Sequence, residues 1–359
     1  MKRVGLVTLT ILSMLTLVFT SCTAEAAAVG KVVQWKDAQH TAPTSYATWC
    51  VQKFFDQVEQ LSKGTFKCQH FLSETLSEAS AQPSGLRNGL FEATCYFPGY
   101  YPSKLPLYNL ATLPALFPTK TSKEDYLTFV KILNEWDQTD LLKAEFAKLN
   151  AIPICEIQPP ERSIMSKVRI ATYDDLKGKK LYAPGGTGDL LKKAGVAPST
   201  LPAGDLYDAI DKGVLEGAAH NFALFIPYKI YEVAHYWTEG IVLGETAYCL
   251  VISKMAYDAL PSSIKKCFDE AKAQLPKTVA DYYWEQRTNG YQLFSKDSSR
   301  QVVKFAADGN KKLSEDGMAL WKENVDKLEG QGIPAKQAFN SLQNIIKKYV
   351  SSYEPYLMK

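Results

Sequence analysis

The sequence predicts an α/β protein of two lobes joined by a hinge, with helices outside the sheets and one long connecting helix. Three observations carry this. Residues 31–157 alternate strand-like and helix-like segments, the pattern of a parallel or mixed sheet with helices on its faces. Residues 162–222 repeat the alternation around Gly-rich turns, as a second unit. The chain leaves the first unit at about 158–162 and returns at about 244–248, and two crossings of that kind make a hinge that a bound ligand closes. A length of 359 residues exceeds what one core usually holds, which agrees with two lobes.

The first 28 residues are expected to be an export signal. Met1-Lys2-Arg3 is a basic start, residues 4–19 are apolar apart from small hydroxyl residues, and Thr20-Ser21-Cys22 is a small-residue boundary. The apolar run is shorter than the roughly 20 residues a bilayer crossing needs. Two cleavage readings stay open. The small residues before Cys22 resemble a bacterial lipoprotein box, with Cys22 as the lipidated N-terminus, although Phe19 stands where Leu is usual. Residues 24–28 suit an ordinary signal peptidase instead. Either way the mature protein lies outside the inner membrane, in the periplasm, with membrane contact only through a lipid on Cys22.

The formal charge of +3 falls to +1 once Lys2 and Arg3 are removed, so nucleic acid is not an electrostatic partner. Besides Cys22 there are Cys50, Cys68, Cys95, Cys155, Cys249 and Cys267, an even set that permits disulfides in an exported chain. None forms a CxxC pair or stands at metal-ligand spacing from a His, so neither a metal nor a cofactor is predicted. Cys95, Cys155 and Cys249 lie in apolar strand-like runs and read as small core residues. Cys50 and Cys68 are a candidate pair that the sequence does not decide.

In chain order, residues 31–35 read as a strand. Residues 45–62 carry Tyr46, Trp49, Val51, Phe54, Phe55, Val58 and Leu61 at helical spacing, and Gly64 ends that helix. Residues 65–71 read as a strand, 74–88 as a helix, and 91–97 as a strand that ends in Pro98-Gly99-Tyr100-Tyr101-Pro102. Residues 123–150 form a helical hairpin or one long helix, and 151–157 a strand. The unit at 162–222 reads strand, Gly-rich turn, helix, link, helix, strand. A strand at 246–253 and a long helix at 261–287 follow, then further helices over 299–359. The first lobe is therefore expected at 29–159 plus 248–286. The second is expected at 160–247 plus 287–359, with the C-terminal helices.

Arg162 is followed by Asp175-Leu176-Lys177-Gly178-Lys179-Lys180-Leu181, then by Gly195-Val196-Ala197-Pro198, then by Tyr207-Asp208-Ala209-Ile210-Asp211-Lys212-Gly213-Val214-Leu215-Glu216-Gly217. This ordered set resembles the solute-binding proteins of TRAP (tripartite ATP-independent periplasmic) transporters, the DctP type. The similarity extends more weakly over residues 31–350. It implies a periplasmic-binding-protein-like clamp without catalytic activity. Such a clamp passes a small organic solute, commonly a carboxylate, to TRAP membrane permease subunits driven by an ion gradient.

One departure matters. The family's usual carboxylate-binding Arg falls at Tyr182. Arg grips a carboxylate by two parallel charge-assisted bonds, whereas Tyr offers one neutral hydroxyl and a ring. Three ligand readings stay open: an anion held by Arg162 and backbone N–H groups of the 184–189 turn, a neutral polar or aromatic solute stacked on Tyr182, or a cation on aromatic faces.

The candidate ligand-binding residues are Arg162 and Tyr182 by family position, and His220 with Asn221 after the Gly217 turn. Gln39 and His40 join them as the loop after the first strand, and Tyr100 and Tyr101 as the loop after the third. Each has a plain structural alternative, in packing, capping or a salt bridge. Gly185-Gly186-Thr187-Gly188 lacks the Lys-Ser/Thr of a phosphate loop and reads as a helix start. An extracytoplasmic enzyme is the distant alternative, since no G-x-S-x-G, H-E-x-x-H or Cys-His arrangement is present. A ligand-sensing envelope lipoprotein would use the same clamp, and sequence alone does not separate it from transport.

Overall fold

The computed structural model describes residues 32–118, 122–157, 162–201, 203–244 and 247–358. The expected export signal with Cys22 lies outside the described residues, as do 158–161 and 245–246 within the two crossings.

The first sheet holds β1 (Val33–Ala38), β2 (Phe66–Phe71), β3 (Ala93–Tyr96), β4 (Ala151–Glu156) and β10 (Cys249–Ser253), in the order β2-β1-β3-β10-β4. The second holds β5 (Ser163–Ser166), β6 (Lys180–Tyr182), β7 (Ala197–Ser199), β8 (Gly217–His220), β9 (Tyr236–Glu239) and β11 (Gln301–Lys304), in the order β11-β9-β5-β8-β6-β7. In each sheet one strand runs against its neighbours: β10 against β3 and β4, and β5 against β8 and β9. These two strands are the ones that follow a crossing. The chain leaves β4 and β9 at their C-terminal ends and enters the other sheet at the matching edge. The strand it enters must then run away from that edge, opposite to its neighbours.

Local chemistry sets the helices. α1 (Tyr46–Leu61) begins at Ser45, whose side chain accepts the Ala47 N–H, and it buries Tyr46, Phe54, Phe55 and Val58 on one stripe. The helix expected over 74–88 is shorter: α2 (Gln82–Arg87) places Pro83 in its first turn, the one place where a missing N–H is tolerated. Residues 123–150 form the hairpin, α3 (Lys123–Trp136) and α4 (Asp140–Ala147), and a reciprocal Ser122–Asp125 capping box starts α3. The second lobe adds α5 (Gly186–Lys193), α6 (Leu206–Asp211) and α7 (Phe222–Phe225), and α8 (Lys254–Asp258) follows β10.

α9 (Ser262–Ser295) is the connecting helix, and it runs past the expected end near 287. Its 34 residues span roughly 50 Å at about 1.5 Å per residue. Phe268 packs on Trp35 and Phe66 of the first sheet, with centroids 5.0 and 5.1 Å away. Tyr283 stacks on Tyr126 and meets Phe222. Phe294 lies edge-on to Trp237 of β9. Gly290 allows the last part to approach α7, since a Cβ there would come within 3.0 Å of Ile226.

The residues after 299 begin with a strand instead of a helix. Gln-Val-Val-Lys is β-branched in its centre and extends the sheet edge beside β9, burying Val303. α10 (Ala307–Glu329) puts Leu313 into the second lobe's core, and Trp321 and Val325 into the larger core that runs through the first lobe and into the second. α11 (Ala335–Tyr349) lies on α3 of the first lobe, where Trp136 Nε1 donates to Ala338 O at 3.1 Å.

A loop of the first lobe reaches the second at Pro114 and Ala115. Trp321 Nε1 donates to Pro114 O at 2.6 Å. A Cβ on Gly244 would lie 2.8 Å from Pro114 Cα, and one on Gly317 would lie 2.9 Å from Ala115 Cβ. Ala115 belongs to the second lobe's core, while its neighbours Leu113 and Leu116 belong to the larger core that runs through the first lobe and into the second.

Cys95, Cys155 and Cys249 are buried, and the thiols of Cys50 and Cys68 are free instead of paired. Among the described residues, no helix is long and apolar enough to cross a membrane.

Candidate functional site

Both sheets present strand ends at a common edge. In the first, β1, β3 and β4 end where β10 begins, because Cys249 pairs with both Tyr96 and Glu156. In the second, β6 and β8 end where β5 begins, because Ser163 pairs with His220 and Tyr182 with Ala218. Loops at such ends are where α/β folds hold ligands.

The first edge carries an aromatic wall. His40 meets Tyr100 edge-on at 5.3 Å and Tyr248 edge-on at 5.5 Å, and Phe97 meets Tyr100 at 4.8 Å. The Tyr248 hydroxyl lies 3.3 Å from His40 Nε2, and His40 Nδ1 lies 3.4 Å from Gln82 Oε1. Burial holds the His40 imidazole below its ordinary pKa.

The second edge carries Arg162, Tyr182 and His220. Arg162 is 8% exposed and its Nη1 donates to Pro184 O at 3.4 Å. Tyr182 is 7% exposed and its ring lies 6.2 Å from that of His220. Burial raises the Tyr182 hydroxyl, and the Arg162 guanidinium works against that rise. Tyr100 of the other edge raises it further. His220 is pushed down to about 3, by burial first and then by the positive Arg162, against the Asn221 Oδ1 contact at 3.3 Å. The imidazole is therefore neutral near pH 7, beside a cation.

That depressed pKa makes a prediction. Below pH 6.5 the unfolded chain protonates His220 and the folded chain does not. Stability should therefore fall as pH drops from about 6.5 toward 3, by up to about 1.4 kcal/mol per pH unit. Urea unfolding at pH 7 and pH 5 checks this. His220→Gln should show a smaller loss between the two than the unmodified protein.

The remaining candidates divide. Tyr100 and His40 stand on the wall, and Asn221 is buried next to His220. Tyr101 is placed elsewhere: it is buried, packs edge-on against Tyr96, and its hydroxyl accepts the Phe97 N–H at 2.9 Å. It braces the 97–101 turn that presents Tyr100. Gln39 is buried under the strand ends, where its Nε2 donates to Asp37 Oδ1 at 2.6 Å, and Asp37 Oδ2 in turn pairs with His70. The Gly185–Gly188 turn does start a helix, but Gly186 abuts Thr112 O and Pro114 of the first lobe. Tyr248 and Phe97 are the wall residues that sequence reasoning missed. Tyr248 reads as part of a buried strand over 246–253, whereas the strand begins at Cys249 and leaves Tyr248 at the edge.

The model of the DctP family, bacterial extracellular solute-binding protein family 7, matches residues 38–328. The chain belongs to the DctP family. A solute-binding protein from Albidiferax ferrireducens is 24% identical to this DctP protein over 296 residues, 78% of this chain and 82% of the relative. A TRAP periplasmic solute-binding protein from Desulfovibrio salexigens, crystallised as an open complex, matches with a TM-score of 0.78 at 19% identity, covering 90% of this chain and 99% of that one. A TRAP solute-binding protein from Rhodoferax ferrireducens, crystallised with copurified benzoate, matches with a TM-score of 0.74 at 20% identity, covering 89% and 99%. The two-lobed fold and the solute-binding role of the DctP family are thus those of this chain.

Proposed function

We propose that this DctP protein captures a small organic acid with a planar, aromatic body and delivers it, without turnover, to TRAP-type permease subunits. The observation that carries the reading is the buried guanidinium of Arg162 opposite the wall of His40, Phe97, Tyr100 and Tyr248. One guanidinium grips one carboxylate, and Tyr182 in place of a second cation leaves room for a ring. The positive charge of Arg162 disfavours a cationic ligand. The benzoate held by the Rhodoferax relative is of the same class. Arg162, Tyr182, His220, Asn221, His40 and Tyr100 are the proposed contacts, with Tyr248 and Phe97 added, while Gln39 and Tyr101 support from behind. The lobes divide at the two crossings and near residue 286, with α11 lying on the first lobe. Export removes the leading segment and leaves the protein in the periplasm, tethered by a lipid on Cys22.

A thermal-stability screen against aromatic monocarboxylates, aliphatic diacids, neutral polar solutes and amines tests this. A ligand that binds only the folded form stabilises it by about 2.7 kcal/mol at a hundredfold excess over its dissociation constant. Aromatic monocarboxylates should raise Tm and be recovered unchanged. A shift from amines alone would overturn the assignment. Tyr182→Phe should weaken binding of the responding acid by roughly two- to tenfold, the worth of one hydrogen bond, as read by calorimetry.

A further inference from the structure

We propose that Asp137, Glu156 and Cys249 form a buried site for one divalent cation, zinc by the chemistry of its donors, tying the two hinge strands together at their first-lobe ends. The three residues are far apart in sequence, so no spacing motif announces them. In the fold one carboxylate oxygen of Asp137, one of Glu156 and the Cys249 sulfur all lie within 4.8 Å of one another. None of the three is more than 1% exposed.

The surroundings ask for a positive charge. Asp137 directly follows α3, at the negative end of the helix dipole, where an acid is disfavoured and a cation favoured. Its Oδ1 is buried and has no hydrogen-bond partner. Its Oδ2 has only the Cys249 thiol, with Sγ 3.9 Å away. Lys272, a cation whose charge favours ionised Asp137, donates its ammonium to Pro153 O at 3.1 Å. Protons in place of a cation would still leave an Asp137 oxygen without a partner, and buried polar atoms of that kind are rare.

Glu156 is already aimed. The Tyr108 hydroxyl donates to its Oε1, and the Tyr248 N–H donates to its Oε2 at 2.8 Å. Two carboxylate oxygens and a thiolate supply three of the four positions of tetrahedral Zn²⁺, whereas Mg²⁺ and Ca²⁺ take oxygen alone. Binding releases the thiol proton to solvent. Glu156 ends β4 just before the outgoing crossing, and Cys249 opens β10 just after the return. A cation there would fix both hinge ends to α3.

The test uses the mature chain purified without chelator. Elemental analysis should find one zinc per chain. Chelator-stripped protein should lose thermal stability and regain it on titration with zinc chloride. Cobalt chloride should give a thiolate-to-cobalt charge-transfer band in the near ultraviolet. Cys249→Ser should abolish that band, and Cys267→Ser, which removes a partly exposed thiol on α9, should keep it. Zinc-free protein with no response to added zinc would overturn the site and leave a protonated carboxyl pair. A band that follows Cys267 would overturn it too. If the buried variant fails to fold, the metal content and zinc response of the unmodified chain decide alone.

Discussion

Arg162→Ala is expected to weaken binding of the responding organic acid by roughly thirtyfold to a few thousandfold. Removing one partner of a buried, hydrogen-bonded charge pair costs about 2–5 kcal/mol, and every 1.4 kcal/mol is about tenfold. The position supports the upper part of that range: the guanidinium is 8% exposed, and neither Tyr182 nor a neutral His220 beside it carries a charge to replace it. Arg162→Lys should fall between, since an ammonium keeps the charge and loses the two-pronged geometry. The 3.4 Å bond to Pro184 O contributes about 1 kcal/mol net to what the fold loses. A second readout separates a cleft role from a structural one. Arg162 helps to depress His220, so in Arg162→Ala the imidazole should move back up toward its ordinary value, as followed by NMR titration. Calorimetry showing wild-type affinity in Arg162→Ala would remove Arg162 from the site. Loss of folding with no change in His220 beforehand would make it a packing residue.

The sequence makes the second lobe legible because its glycines and charged turns recur at fixed separations from Arg162 to Gly217. It makes the alternation of the first lobe legible because Trp35, Phe54, Phe55 and Phe66 repeat at strand and helix periods. It also places His40 and Tyr100 on the wall, since each follows a strand end. What it hides is long-range. The direction of Tyr101 depends on whether its ring meets Tyr96 or the cleft, and local pattern is the same for both. Gln39 looks like a ligand-loop residue until Asp37 and His70 close over it. Tyr248 is concealed by a strand boundary shifted by three residues. The strand at Gln301–Lys304 pairs with residues about 65 positions earlier, which no local reading supplies. α11 reads as a second-lobe helix by its place in the chain, yet Trp136 and Glu135 draw it onto α3.

The interlobe loop gives the second large effect. Trp321→Ala should destabilise the protein by about 3–5 kcal/mol, the usual cost of deleting a buried Trp or Phe side chain. Trp321 is buried between Phe339 and Tyr356, with centroids 5.8 and 6.4 Å away. Its indole N–H is the donor to Pro114 O, so truncation also leaves that carbonyl without its bond. Trp321→Phe keeps most of the volume and loses only the donor, so it should cost about 1–2 kcal/mol. The difference between the two variants measures packing apart from hydrogen bonding in denaturant melts. The consequence should reach the cleft. Pro114 abuts Gly186 at the start of α5 and Gly244 before the return crossing, so freeing it loosens the first lobe's grip on both. Trp321→Phe is therefore expected to change solute affinity while its Tm moves little. Equal affinity for the two proteins would show that the Pro114 contact serves stability alone and that the crossings set the closure by themselves.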